Sequence, residues 1–100
     1  MIDRTIADYF GIRADCVPRQ RLDEFGRLMS QTTMQERETA YALARYVFSG
    51  QGEIFDVGSA AGGSSYCFAA GVLDSELSNK TRRVIALDKF GGYSIKAFRA

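Results

Sequence analysis

Histidine is absent from the 100 residues. Its absence removes histidine general bases, Ser-His nucleophile pairs and histidine metal sites, and leaves any acid–base chemistry to Asp, Glu, Lys, Tyr or Cys. Cysteine is scarce too: Cys16 and Cys67 lie far apart and form neither a C-x-x-C pair nor a metal-ligand spacing. An excess of charge of one sign is also lacking. Thirteen basic against twelve acidic residues leave a net charge of +1, which argues against a dedicated nucleic-acid surface despite the short basic clusters Arg19 to Arg21 and Lys80 to Arg83. No apolar run approaches the roughly 20 residues that span a bilayer, and the first residues lack the basic-then-apolar order of a signal peptide. A cytoplasmic chain with no membrane and no nucleic-acid partner is the expectation. No internal repeat or low-complexity segment occurs.

What is present is the make-up of an ordinary globular domain, 46% hydrophobic and 25% charged, and the length permits one domain at most. Ile2, Ile6, Tyr9 and Phe10 are spaced as on a helix that Gly11 breaks; Gly11 to Gln20 reads as a connection. Leu22, Phe25, Leu28 and Met29 share one face of a short helix over Arg21 to Ser30. Thr33 and Glu36 have the spacing of a capping box, and the apolar stripe Met34, Tyr41, Ala44 and Phe48 predicts a core-packed helix from about Met34 to Phe48. Ser49-Gly50-Gln51-Gly52 ends it. Glu53 to Val57 is a strand of near-continuous apolar character, as expected of a parallel strand buried on both faces. A helix over Ser64 to Leu77, a polar turn, and a second strand over Val84 to Asp88 follow. A further helix is predicted from about Ser94. Helix, strand, helix, strand implies a parallel β-α-β unit, with residues 1–32 as an N-terminal helical segment and residues 33–100 as the unit itself.

The most informative stretch runs from Glu53 to Ser65, EIFDVGSAAGGSS. A strand ends near Asp56, breaks into Gly58-Ser59-Ala60-Ala61-Gly62-Gly63 and continues into a helix. Glycines let a backbone turn sharply and approach a ligand closely, and the helix that follows directs free N–H groups into the turn. The second strand again ends in an acid, Asp88, whose carboxylate can accept hydrogen bonds from both hydroxyls of a ribose. A dinucleotide fingerprint would need glycine where Ala60 stands, at the closest approach to a pyrophosphate. Asp56 would also set negative charge beside those phosphates. No Gly-Lys-Ser/Thr follows, so a Walker-type loop is excluded. An acid at this place suits a ligand bearing an ammonium or sulfonium group, and the residue chemistry points to a zwitterionic, adenosine-bearing ligand.

The same residues resemble a known family. Glu53 to Gly63 is similar to motif I of the class I S-adenosylmethionine-dependent methyltransferases. DVGSAAGGSSYCFAAGVL and RRVIALDKFGGY resemble the macrocin O-methyltransferase-like branch, in the double glycine Gly62-Gly63 and in the ending Asp88-Lys89-Phe90-Gly91-Gly92. The resemblance covers about Thr33 to Tyr93. It implies an α/β, Rossmann-like methyltransferase fold of about seven strands, S-adenosylmethionine as cofactor and a small-molecule hydroxyl, such as a sugar's, as acceptor. It also implies roles: Asp56 facing the methionine ammonium, Gly58, Ser59, Gly62 and Gly63 lining the methionine and ribose, Asp88 holding the ribose hydroxyls, Lys89 and Phe90 beside the adenine. Ala60 departs from the family's usual glycine. The acceptor pocket, any catalytic base and the Mg²⁺ ligands of that branch would fall beyond Ala100. The expectation is therefore an N-terminal part of the fold, inactive by itself, whose strand edges pair between copies in a homo-oligomer. A non-catalytic oligomeric interaction module and a nicotinamide-dinucleotide-binding fragment are the alternatives.

Overall fold

Asp3 starts the first helix: its side chain accepts from Ile6 N at 3.1 Å. In the computed structural model, which describes residues 1–29, 32–57, 63–76, 83–89 and 93–99, α1 spans Arg4–Phe10 and ends at Gly11, whose φ of +66° suits a residue without a Cβ. α2 covers Arg19–Gly26, so it takes in the end of the predicted connection and stops before Leu28. α3 covers Met34–Ala42 and opens on the expected capping box, Thr33 and Glu36 accepting from each other's backbone N–H. β1 is Ile54–Val57, α4 is Gly63–Asp74, β2 is Arg83–Lys89 and β3 is Tyr93–Arg99.

The helices share one core. Ile2, Ala7, Val17 and Phe25 pack with Ala40, Tyr41, Ala42, Cys67 and Ala70, so the N-terminal segment and the later residues bury apolar surface against each other. Phe25 has no exposure and meets the Tyr41 and Tyr66 rings edge-on, with centroids 5.6 and 6.4 Å away. The buried Arg37 guanidinium donates to Phe25 O at 2.8 Å, which ties the end of α2 to α3. The same carbonyl also accepts from Leu28 N at 3.3 Å, so it joins the end of α2 to both the following residues and α3.

Two expectations are corrected. The predicted helix over Met34 to Phe48 is not α-helical throughout: Leu43–Val47 is a π-turn, closed by Phe48 N donating to Leu43 O at 2.8 Å. The turn widens beside the closest approach of α4, where a Cβ on Gly71 would lie 2.4 Å from Tyr41 O and 2.7 Å from Ala44 Cβ. The helix predicted from Ser94 is the strand β3. Its sequence YSIKAFR alternates polar and apolar residues through Ser94, Ile95, Lys96 and Ala97. Period two fits a strand, and pairing gives the outer backbone groups of β2 their partners.

β1 and β2 pair in parallel, from Ile54↔Val84 to Val57↔Leu87, and β3 adds antiparallel to β2, from Arg83↔Arg99 to Lys89↔Tyr93. α4 lies between β1 and β2 in sequence and packs against the strands and against α3. Among the described residues the elements are helices and three strands, with most of the packed core supplied by helices.

Candidate functional site

The parallel pairing fixes where the strand-end acids lie. Asp56 pairs in register with Ala86, so Asp88 stands two residues further along β2, about 7 Å on, toward the same C-terminal ends of the strands. Lys89 is the last residue of β2. Gly63 is the buried first residue of α4. Gly58, Ser59, Gly62 and Phe90 lie outside the described residues, as does Leu77.

The Asp56 carboxylate is half-buried and already engaged. Ser64 Oγ and Ser65 Oγ, in the first turn of α4, both donate to its Oδ2, at 2.5 and 2.8 Å. Ser65 has no exposure. Two hydroxyl donors compensate a carboxylate that burial would otherwise penalise, and they pin the end of β1 to the start of α4. Oδ1 has no protein partner among the described residues.

Asp56 and Ser64 sit in one wall of a cleft of about 410 Å³, within the size range of small-molecule sites. The N-terminal helices supply the opposite wall, with Asp3 and Ile6 from the start of α1 and Gln35, Glu36 and Thr39 from α3; Ala40, Leu43 and Phe68 add apolar surface. Asp3, Glu36 and Asp56 all line it, and no lysine or arginine does among the described residues. Each carboxylate has one engaged oxygen: Asp3 Oδ1 caps α1 and Glu36 Oε1 accepts from Thr33. The three acids do not converge on one point, for no group of three metal-ligating side chains occurs among the described residues. Glu36 was visible in the sequence only as a cap, and Asp3, Ile6, Thr39 and Phe68 carried no signal that placed them near a glycine turn. Tertiary packing alone brings them there.

A second polar cluster lies on the side of α4 that meets α2 and the π-turn. Arg21 forks onto Asp74, with both bonds at 2.9 Å, and bonds Glu24 at 2.8 Å. Tyr41 Oη donates to Asp74 Oδ2 at 2.6 Å and accepts from Arg45 at 2.7 Å. The Arg21 hydrogen bonds hold the Asp74 carboxyl below the usual range despite its partial burial. Burial, then the bond to Asp74, pushes the Tyr41 phenol up. Cys67 is pushed to about 12 by burial and is a packed core residue, as its place in the predicted helix suggested. These hydrogen bonds join α2, α3, the π-turn and α4, which marks a structural tie between helices.

Among the described residues no helix is long and apolar enough to cross a membrane. Comparison with protein-family models, with curated proteins and with solved structures finds no match, so the chain's own geometry carries the argument about function.

Proposed function

We propose that this chain is the S-adenosylmethionine-binding portion of a Rossmann-like O-methyltransferase acting on a small-molecule hydroxyl, with a sugar hydroxyl the acceptor implied by the sequence resemblance. One observation carries the reading: Asp56 and Asp88 lie near the ends of parallel, adjacent strands at the same edge, with the glycine-rich sequence following β1 and an acidic cleft opening beside Asp56. Ligands of open α/β sheets bind outside the carboxyl ends of the strands. In this reading Asp56 Oδ1 faces the methionine ammonium, Asp88 takes the ribose hydroxyls, and Gly58, Ser59, Gly62 and Gly63 offer backbone groups to the methionine and ribose. Lys89 and Phe90 border the adenine. Methyl transfer needs chiefly the alignment of the acceptor oxygen with the sulfonium methyl.

Two features favour a second reading, a non-catalytic homo-oligomeric module on the same scaffold. The antiparallel strand β3 follows β2 where the methyltransferase pattern calls for a helix, and β1 has an outer edge without a strand among the described residues. Calorimetry with S-adenosylhomocysteine separates the two. Binding heat is expected for the native chain and for Arg13→Ala, whose side chain pairs among the described residues with exposed Asp15 alone, and is expected to vanish for Asp88→Ala. Equal heat from native and Asp88→Ala chains, or none from either, removes the cofactor-binding reading.

A further inference from the structure

The backbone nitrogens of the first three residues strap the start of the chain onto the fold. The Met1 α-ammonium lies 2.7 Å from Glu38 Oε1. Ile2 N donates to Ala14 O at 2.9 Å, and Asp3 N donates to Thr39 Oγ1 at 3.1 Å. Between these polar anchors the Ile2 side chain is buried in the core with Phe25 and Tyr41. α1 has seven residues, too few to be stable by itself, so it depends on how this strap seats it. Glu38 is the costly member of the set. Its side chain is only 8% exposed, and the Met1 ammonium is the one partner of its carboxylate among the described residues. A carboxylate taken out of water needs a cation or several donors.

We propose that the α-amino group of Met1, where it is free, is the counter-ion of the buried Glu38 carboxylate and a modification site: acylation of this amine loosens the N-terminal strap and α1. Met1 itself is 58% exposed, so an acyl donor can approach the chain end. With an acyl thioester as donor, the ammonium first gives one proton to solvent. The amine nitrogen then attacks the acyl carbon. An N–C bond forms, the C–S bond breaks, and the thiol leaves with a second proton from the nitrogen. The product is a neutral amide. Its remaining N–H can still donate to Glu38, but the carboxylate has lost its cation. Removing one partner of a buried ion pair is destabilising because the other charge stays buried, and the solvent on the Met1 side moderates the loss.

Chemical synthesis of the 100 residues gives the chain with a free or an acetylated Met1 amine, each with Glu38 or with Glu38→Gln. Glutamine matches glutamate in helix propensity and removes the buried charge. Acetylation is expected to lower the melting temperature of the native chain by about 4–8 °C at neutral pH, read by circular dichroism, and that of the Glu38→Gln chain by much less. Amide exchange followed by NMR is expected to speed up in the acetylated native chain at Ile2 and Ala7, whose N–H groups donate to Ala14 O and Asp3 O, more than in the middle of α4. A native melting temperature that acetylation leaves unchanged, or an equal fall in both chains, overturns the proposal. Should Glu38→Gln not fold, the exchange rates decide: rates at Ile2 and Ala7 that acetylation leaves unchanged, or raises no more than those in α4, overturn it.

Discussion

Gly71→Ala is expected to be among the most damaging single-methyl additions in the chain. The new Cβ would stand 2.4 Å from Tyr41 O, 2.7 Å from Ala44 Cβ and 3.1 Å from Arg45 N. Two of these neighbours are backbone, and the third is a Cβ fixed to it, so no rotamer change clears the space. Alanine is the better helix former by about 1 kcal/mol, but overpacking a close helix contact costs about 3 kcal/mol or somewhat more. The clash wins. A net loss of about 2 kcal/mol, or a fall in melting temperature of roughly 8–16 °C, is expected by calorimetric or circular-dichroism melting. Gly26→Ala is the control: it ends α2, no atom lies within 4 Å of its built Cβ, and it should be neutral or slightly stabilising. Equal effects at the two glycines would deny that α4 is seated on the π-turn.

Asp74→Asn is expected to cost about 2–3 kcal/mol at neutral pH, because it leaves Arg21 with a neutral partner and weakens the acceptor for the Tyr41 hydroxyl. Arg21 and Asp74 are only 19% and 25% exposed, so solvent screens the pair less than a surface ion pair. The pH dependence has a definite sign. Asp74 is held below its ordinary range in the folded chain, so its contribution is present above the unfolded carboxyl's pKa of about 3.9 and is lost as pH falls through the lower folded value. Urea unfolding should therefore show a full gap between native and Asp74→Asn chains at pH 7 that closes below about pH 4. A gap independent of pH would assign the loss to packing instead of charge. Tyr41 works in the opposite direction: its raised folded value gives stability that is complete below about pH 10 and lost above it, and Tyr41→Phe should remove that alkaline loss.

Local chemistry explains which parts were legible in the sequence. Thr33 and Glu36 define the start of α3 because a capping box is satisfied within four residues. Glu53 to Val57 and Val84 to Asp88 read as strands because their apolar runs are short and carry an acid at or near the end, and the register pairs Ile54 to Val57 in parallel with Val84 to Leu87. The π-turn at Leu43–Val47 was not legible, since it coincides with a contact to Gly71 that lies beyond any local window. β3 was missed for a different reason. Its alternating pattern was there, but the helix–strand–helix–strand succession before it set the expectation of another helix, which outweighed the period of two in YSIKAFR. The role of Asp56 was half legible: its position at the strand tip was, its bonds to Ser64 and Ser65 were not. Asp3 and Thr39 reach the cleft only through the packing of α1 on α3, a relation that no spacing in the sequence encodes.

The proposed seat of an adenosine-bearing cofactor is the cleft at the tip of β1. Amide hydrogen exchange with and without S-adenosylmethionine tests it most directly, because ligand contacts slow local opening where they form. Slowed exchange is expected at the start of α1 around Asp3 and Ile6, in α3 around Gln35 to Thr39, at Asp56 in β1 and at Ser64 in α4. Exchange that the cofactor leaves unchanged at these three places, or slows instead around Arg21 and Asp74, would contradict it.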